Sequence, residues 1–297
     1  MLLIAGGETD PSVESLVARA RLRGMDARTL LVGPGTNPSL AWSFDDDRLL
    51  IDGDEAAPAG VFLRYDVFGH LADGRQATAY RANAWYTALQ GWMLAHPRVR
   101  MLNRRYGGQM NKPFMLHLAA RMGLHIPHTR VTNELDAVER EMAAAGPLIA
   151  KPLTGGGYAQ PLEELLAGTE RRDGRSAAPA FVQRRMVAPE VRVYGVGMGA
   201  SRRFVAYRVD SEALDYRVDD DSVVVHLSLD DVGAEGVDGL GRVMDALEMD
   251  YGAADFKADP ESGRLAFLEV NSAPMFAGFD AVSDSAVSDA ILDYLAG

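Results

Sequence analysis

The first 65 residues alternate strand patterns with a helix pattern, and this alternation restricts the fold of the N-terminal third more than any other feature. Asp10 has the position of a helix N-cap before Pro11 at the first helical position. Three apolar strand patterns flank or follow that helix, at residues 2–5, 27–32 and 61–65. Strands that alternate with helices build parallel sheets, so residues 1–104 are predicted to form a Rossmann-like α/β domain.

After residue 104 the pattern changes to an α+β arrangement. Two helix patterns begin after Asn111 and Asn133, both residues of the type that caps helix N-termini. Residues 168–179 are charged and are predicted to form an exposed loop, and a last helix pattern covers residues 283–295. Strand patterns fill most of the remainder, at residues 148–153, 181–186, 191–198, 203–209, 223–229, 253–258 and 264–271. Antiparallel sheets with a few helices are therefore predicted for this part of the chain.

The composition excludes several classes of function. The 297 residues have a net charge of −12, which disfavours binding to nucleic acid and to anionic membrane surfaces. The chain has no cysteine, so disulfides, thiolate catalysis and zinc–thiolate sites are excluded. No apolar run approaches the roughly 18 residues of a membrane span, and the N-terminus lacks the basic segment of a signal peptide. We expect a cytoplasmic protein.

Two strand patterns near the C-terminus carry the best candidate for a metal site. Glu269 and Asn271 are two residues apart, so their side chains point to the same side of a strand. A hairpin register that sets Asp255 opposite Glu269 would add a second carboxylate to that side, whereas a slip of one residue would turn Asp255 away. Three such oxygens suit Mg²⁺, which also takes phosphate oxygens and water. The alternative is a strand whose polar side chains face solvent.

A lysine and a glycine loop form a second candidate site. Lys151 lies in a strand pattern that runs directly into Thr154, Gly155, Gly156 and Gly157. Glycines let the backbone close over phosphate oxygens, and exposed N–H groups can bind anions. Flexible surface loops have the same composition, so the glycines alone do not decide between the two interpretations. The chain contains neither a P-loop nor the glycine spacing of a dinucleotide-binding turn.

Three arginines lie in or beside apolar strand patterns, at Arg192, Arg208 and Arg217. An arginine in such a position needs an anionic partner or a wet cleft. Convergence on one sheet face would suit a triphosphate or an acyl-phosphate, while pairing with the abundant Asp and Glu is the alternative. Four further residues could face an acceptor substrate, although the sequence does not decide it: Arg64, Tyr65, Asp66 and Arg81.

Taken in chain order, these residues resemble the ATP-grasp superfamily of carboxylate–amine ligases. The resemblance covers residues 103–297, and it rests on Lys112, Lys151 with its glycine loop, residues 181–186, Glu190 with Arg192, Asp255, and Glu269 with Asn271. Residues 111–133 are similar to the graspetide ligases, which crosslink ribosomal peptides. Residues 269–280 are more similar to the RimK group, in which Asp often stands where this chain has Glu190.

The resemblance implies a role for each of these residues. It implies a pre-ATP-grasp domain over residues 1–104, a lid subdomain over 105–186 and a catalytic subdomain over 187–297. Two Mg²⁺ ions, which Mn²⁺ could replace, would be held by Asp255, Glu269 and Asn271. The phosphoryl group or carboxylate would be held by Arg192 and Arg217, with Arg208 as a further catalytic candidate. ATP would be bound by Lys112, Lys151, Thr154, Gly155, Gly156, Gly157, Gln183, Arg184, Arg185, Met186 and Glu190.

The resemblance also implies an activity, the formation of an amide or peptide bond through an acyl-phosphate. An amino acid or small metabolite is the first expectation for the substrate, and side chains of a ribosomal precursor peptide are the alternative. A phosphotransferase that makes a stable phosphorylated product is a rival of another class, and a non-catalytic nucleotide-binding protein is a third. Self-association is an expectation from the superfamily.

Overall fold

The N-terminal third is built on a parallel sheet. This computed structural model describes residues 1–106, 111–153 and 158–297. The elements of the N-terminal third are, in chain order, β1 (Leu2–Gly7), α1 (Pro11–Leu22), β2 (Ala27–Val32), β3 (Leu40–Ser43), β4 (Arg48–Ile51), β5 (Asp54–Glu55), β6 (Gly60–Leu63), α2 (Val67–Ala72), α3 (Gln76–Ala95) and β7 (Arg100–Met101). The parallel sheet has the order β2-β1-β6-β7. Asp10 caps α1 as predicted, because its carboxylate accepts the backbone N–H groups of Ser12 and Val13.

A small antiparallel sheet, β3-β4-β5, lies between β2 and β6 in the sequence. The sequence analysis assigned no strand to this stretch. Its strands are only two to four residues long, too short for alternation to stand out in the sequence. Leu49 and Ile51 nevertheless anchor it in the core of the N-terminal third.

The middle of the chain contains a third sheet with the order β10-β9-β11-β8. Its elements are α4 (Lys112–Arg121), β8 (Thr129–Glu134), α5 (Leu135–Ala145), β9 (Leu148–Pro152), β10 (Gln160–Pro161), α6 (Leu162–Gly168) and β11 (Arg175–Arg184). Asn111 caps α4 as predicted, through a 2.9 Å bond from the N–H of Phe114. Asn133 lies in β8 instead of capping α5, and β11 begins at Arg175, inside the segment predicted as a loop. Pairing with β8 overrides the polar composition there.

The C-terminal part contains a fourth sheet, which is antiparallel and has the order β14-β13-β12-β15-β16. Its elements are β12 (Val187–Val196), β13 (Arg203–Asp210), β14 (Val223–Leu227), α7 (Leu229–Val232), α8 (Ala234–Ala246), β15 (Tyr251–Ala258), β16 (Leu265–Asn271), α9 (Ala277–Asp280) and α10 (Ala286–Ala296). The strands β15 and β16 form the predicted hairpin. None of the described helices combines the length and apolarity needed to cross a bilayer.

The last helix ties the C-terminal sheet to the N-terminal third. Leu16 of α1, Phe62 of β6, Tyr207 of β13 and Ile291 of α10 belong to one hydrophobic cluster. On the surface above it, the guanidinium of Arg19 in α1 forms a bidentate pair with Asp289 in α10, at 2.9 and 2.6 Å. This packing fixes the N-terminal sheet against the C-terminal one, and it therefore positions every cavity between them.

Candidate active site

A cavity of about 650 Å³ lies between the middle sheet and the C-terminal sheet. Its walls come from β9 and β11 on one side and from β12, β15 and β16 on the other, with α4 and residues 214–217 at its margins. A volume of this size is within the range of small-molecule sites in proteins. The cavity is lined by most of the residues that the sequence analysis selected.

The metal candidates lie on one side of the β15–β16 hairpin. Asp255 is paired with Glu269, which is the predicted register, and Asn271 lies two residues further along β16. All three line the cavity. The amide Nδ2 of Asn271 donates to Glu269 Oε1 at 3.4 Å, so the amide oxygen is left for another ligand. The prediction that these side chains converge is confirmed.

The donor set fits Mg²⁺. No three His, Asp or Glu side chains in the described segments cluster as a metal site on their own. Two carboxylates and one amide oxygen are nevertheless what Mg²⁺ uses when phosphate oxygens and water complete its shell. Residues Asp255, Glu269 and Asn271 would hold the ion, and the open cavity beside them leaves room for phosphates.

Each carboxylate of this set already has a basic partner. Arg192 Nη1 lies 2.8 Å from Asp255 Oδ1, and Lys112 Nζ lies 3.2 Å from Glu269 Oε2. Burial raises the pKa of Asp255, and the charge of Arg192 opposes that rise. Burial also acts to raise the pKa of Glu269, but Lys112 and Lys151 lower it further, so its net shift is downward. Glu269 is therefore held as a carboxylate, the form that binds a cation.

The sequence contains three lysines, Lys112, Lys151 and Lys257, and all three line this cavity. Lys151 Nζ lies 5.4 Å from the centroid of the Phe181 ring. Burial lowers the pKa of Lys151, because desolvation penalises its charged form. A buried ammonium in this position gains most from an anionic ligand such as a phosphate. The sequence analysis missed Lys257, although the scarcity of lysine was a signal that could have found it.

Lys257 forms a pair with Glu190 at the far side of the cavity. Its Nζ lies 3.0 Å from Glu190 Oε2 and donates to the carbonyl oxygen of Leu214 at 2.7 Å. Burial raises the pKa of Glu190 to about 7, although the charge of Lys257 lowers it. The carboxyl of Glu190 therefore keeps its proton to a higher pH than an exposed glutamate does.

Residues 183–186, which the resemblance implies bind ATP, face the cavity only in part. Gln183, Arg184 and Met186 line it, and Gln183 is buried with its amide donating to Thr129 Oγ1 at 2.9 Å. Arg185 is not among the residues that line the cavity, and its predicted contact with ATP, through backbone groups, stays a prediction. Its side chain is exposed, and its backbone N–H bonds to the carbonyl oxygen of Pro147 at 2.9 Å.

Two of the three candidate arginines reach the cavity, and Arg208 does not. Arg208 is paired with Val191 across β12 and β13, whereas Arg192 is paired with Tyr207. Adjacent residues of a strand point to opposite faces, so Arg208 and Arg192 lie on opposite sides of the sheet. Arg208 instead forms a pair with Asp210, at 2.8 Å. The prediction that Arg208 converges with the others was wrong.

Arg217 stands at the mouth of the cavity, half-buried beside Asp215. Its Nε donates to Asp215 Oδ1 at 2.8 Å, and its guanidinium lies 5.0 Å from the centroid of the Tyr158 ring. The predicted lid residues Thr154, Gly155, Gly156 and Gly157 come just before Tyr158 and lie outside the described residues. Their predicted role stays a prediction.

Comparisons with known proteins bear on the fold. No protein-family model matches the chain, and no curated protein matches it. Among solved structures, the ATP-grasp ligase PsnB, complexed with a phosphomimetic variant of a minimal precursor, Mg and ADP, has 25% identity and a TM-score of 0.73, covering 99% of this chain and 98% of its own. The chain has the ATP-grasp fold.

Two further ATP-grasp structures match over comparable lengths. The macrocyclase MdnC from Microcystis aeruginosa MRC, bound with the precursor peptide MdnA, has 21% identity and a TM-score of 0.70, with 100% of both chains covered. The VanG D-Ala:D-Ser ligase from Enterococcus faecalis has 14% identity and a TM-score of 0.64, covering 100% of this chain and 98% of its own. The expected ATP-grasp fold is thereby confirmed, and the Rossmann-like character of residues 1–104 stays a prediction.

Two tyrosines that the sequence analysis did not select position Arg192, which lines the ATP-grasp cavity. Arg192 donates to the hydroxyl oxygens of Tyr194, at 3.0 Å, and Tyr216, at 3.3 Å. Tyr194 in turn donates to the carbonyl oxygen of Met275 at 2.5 Å, which links β12 to the segment after Asn271. These tyrosines are ordinary strand and turn residues in the sequence, and only the pairing of β12 with β15 shows that they position Arg192.

Proposed function

We propose that the protein is an ATP-dependent carboxylate–amine ligase that forms an amide or peptide bond through an acyl-phosphate. One observation carries the proposal: within an ATP-grasp fold, Asp255, Glu269 and Asn271 face the same cavity as all three lysines and three arginines. The similar PsnB structures contain Mg and ADP. That composition supports ATP and Mg²⁺ as the nucleotide and metal for this chain.

The cavity residues have distinct roles in this proposal. Lys112 and Lys151 bind the phosphates, and Arg192 and Arg217 hold the carboxylate and the phosphoryl group in line. Mg²⁺ or Mn²⁺, bound by Asp255, Glu269 and Asn271, would neutralise charge on the phosphates. Positioning and charge compensation are the main requirements of phosphoryl transfer, and the cavity supplies both without a side-chain nucleophile.

The reaction has two steps. A carboxylate oxygen attacks the γ-phosphorus of ATP, and ADP leaves. The amine then attacks the acyl carbon, phosphate leaves with the electron pair of the broken C–O bond, and the amine gives up a proton. Water would hydrolyse the intermediate, so the cavity must be closed during turnover. Residues 154–157 are our candidates for that lid.

The domain organisation is part of the proposal. We assign residues 1–104 to a Rossmann-like domain, 105–186 to the lid subdomain and 187–297 to the catalytic subdomain. The parallel sheet and the separate middle and C-terminal sheets support this division. The packing of α10 on α1 makes the first and third parts one structural unit.

Peptide substrates are a second candidate within the same chemistry. PsnB and MdnC were solved with precursor peptides, whereas VanG is a D-Ala:D-Ser ligase. The whole-chain similarity to PsnB and MdnC favours a graspetide-type ligase that joins side chains of a ribosomal peptide. An amino acid or small metabolite stays the first expectation from the sequence, and the cytoplasmic location and self-association stay predictions.

Trapping with hydroxylamine tests the proposed reaction. The protein is incubated with ATP, Mg²⁺, hydroxylamine and a panel of carboxylates that includes synthetic peptides rich in Asp and Glu. A ligase releases ADP and yields a hydroxamate, because hydroxylamine replaces the amine. A stable phosphorylated product would instead identify a phosphotransferase, and ADP release with no acyl product would contradict the proposal. Without hydroxylamine, loss of one water from a peptide by mass spectrometry would identify the crosslinking activity.

A further inference from the structure

A second cavity, of about 200 Å³, adjoins the candidate active site. It lies at the carboxyl ends of β6 and β7, with α3 on one side and Tyr251 of β15 on another. Ser272 and Ala273 line both this cavity and the larger one. The two cavities therefore share a wall directly after Asn271, where the metal would lie. We call the smaller one the side cavity.

The side cavity lies outside the carboxyl ends of β6 and β7, one strand away from the point where the strand order of the sheet reverses. The chain runs outward from β1 to β2 on one side of the sheet and from β6 to β7 on the other, so the strand order reverses between β1 and β6. Crevices outside the carboxyl ends of the strands, beside such a reversal, are the usual ligand sites of these sheets. The N-terminal third therefore presents its binding edge to the active site.

Three polar side chains of the side cavity have no hydrogen-bond partner among the described residues. They are the hydroxyl of Tyr86, the carboxamide of Gln90 and the hydroxyl of Tyr106, and the last of these is fully buried. The buried hydroxyl of Tyr106 would cost about 1–3 kcal/mol without a partner, whereas Tyr86 and Gln90 are only partly buried. The three groups together offer hydrogen bonds to a ligand in this cavity.

The side cavity is electrically neutral. Arg64 is the one charged residue among its described lining residues. Its Nε donates to Asp10 Oδ2 at 2.5 Å, and its Nη1 donates to the carbonyl oxygens of Ala273 and Pro274, at 3.1 and 2.8 Å. The charge of Arg64 is therefore compensated, and its donors hold the shared wall in place. A charged occupant would lose its hydration without gaining a counter-ion.

The volume limits the occupant to part of a substrate. Whole small-molecule ligands occupy roughly 300–1,000 Å³, and 200 Å³ is smaller than that range. The larger cavity, with its lysines and arginines, takes the nucleotide and the reacting carboxylate. The side cavity is left for the other substrate.

We propose that the side cavity binds an uncharged carboxamide or hydroxyl group of the acceptor substrate, next to the amine that reacts. The contact with this group selects the acceptor substrate. Tyr86 and Gln90 make the hydrogen bonds, with Tyr106 as a third partner. This inference rests on the proposed function, because it treats the reaction centre as lying in the larger cavity.

Matched amino-acid probes test the proposal without turnover. L-Glutamine and L-glutamate differ in charge at nearly equal size, and L-threonine and L-valine differ in one hydroxyl. Binding of each is measured by calorimetry to the full chain with saturating ADP and Mg²⁺. We expect glutamine or threonine to bind at least about tenfold more tightly than its matched control. Tyr86→Phe and Gln90→Leu should each weaken that binding about three- to tenfold, the range for one lost neutral hydrogen bond.

The control variant is Tyr80→Phe, which removes an exposed hydroxyl from the same helix. It should leave probe binding unchanged. Three outcomes would overturn the inference. They are equal binding of the two members of both probe pairs, no binding of any probe, and unchanged probe binding in both Tyr86→Phe and Gln90→Leu. Hydroxamate formation by the wild-type protein distinguishes this failure from a failure of the proposed function, because it needs no acceptor in the side cavity.

Discussion

Arg192 on β12 lies directly opposite Asp255 on β15, and its Nη1 donates a 2.8 Å hydrogen bond to Asp255 Oδ1. Both residues are buried. Asp255 therefore carries a compensated charge before any cation binds, and the same guanidinium is held by two tyrosine hydroxyls. The pair links the stability of the C-terminal sheet to the chemistry of its cavity.

A double-mutant cycle measures this link. Removing one member of a buried ion pair leaves an uncompensated charge and costs about 3–5 kcal/mol. We expect Asp255→Leu to destabilise the fold by about that amount, and Arg192→Leu/Asp255→Leu to cost less than the sum of the two single changes. Urea unfolding of the three variants and the wild type gives the coupling. Additive losses would contradict the pairing.

Glu269→Ala and Asn271→Ala should abolish ATP turnover while the protein stays folded. Each removes a metal-binding oxygen from a half-buried position, so we expect a fall in ADP release of more than about 100-fold. Glu235→Ala is the matched control, since Glu235 is exposed and pairs with Arg264 away from the cavity. Near-normal turnover in both site variants, with their melting temperatures preserved, would exclude the proposed metal site.

Lys151→Ala should weaken nucleotide binding. A charge-assisted hydrogen bond contributes about 1.5–3 kcal/mol, so the Kd for ADP with Mg²⁺ should rise about 10- to 100-fold. Isothermal titration calorimetry provides the value. Arg203→Ala, which removes an exposed basic side chain paired with Asp293, serves as the comparison. An unchanged Kd for Lys151→Ala would place the phosphates elsewhere.

Arg217→Gln and Arg208→Gln should behave differently although both remove one arginine charge. Arg217 lines the cavity and Arg208 lies on the other face of the sheet. We expect Arg217→Gln to lower kcat about 100-fold or more, because its charge assists phosphoryl transfer, and Arg208→Gln to retain wild-type kcat. Equal losses in steady-state assays would contradict this geometry.

Glu190 should make stability depend on pH. Burial raises its folded pKa to about 7, above its ordinary value of 4.5, so the folded state binds more protons than the unfolded state between those values. Stability must therefore fall as pH rises through that window. From about pH 5 to pH 8, the wild type should lose on the order of 2 kcal/mol more than Glu190→Gln. Parallel pH profiles of unfolding free energy in the two proteins would contradict the assignment.

The sequence alone predicted the parts of this protein whose signals are local. The caps at Asp10 and Asn111 and the hairpin of β15 and β16 follow from residue types and short spacings. Side chains alternate between the two faces of a strand, so the spacing of Glu269 and Asn271 placed both on one side of β16 without knowledge of any partner strand.

What the sequence did not predict depends on partners far away in the chain. Arg208 and Arg192 lie in similar apolar runs, and only the pairing of β12 with β13 shows that they face opposite ways. The strand β8 and the first half of β11 are polar, and they are strands because they pair with each other. The side cavity combines α3, β6 and residues after Asn271, which no local pattern connects.

All three lysines of the chain, Lys112, Lys151 and Lys257, line one cavity. Reagents that react with amines are therefore directed to this cavity. Besides the terminal amine, the chain has no other primary amine, so an acylating or reductively alkylating reagent would modify only this cavity and the N-terminus. Protection of the three amines by nucleotide could then be mapped by peptide mass spectrometry. Occupancy of the site would become readable without a label, an engineered tag or a known substrate.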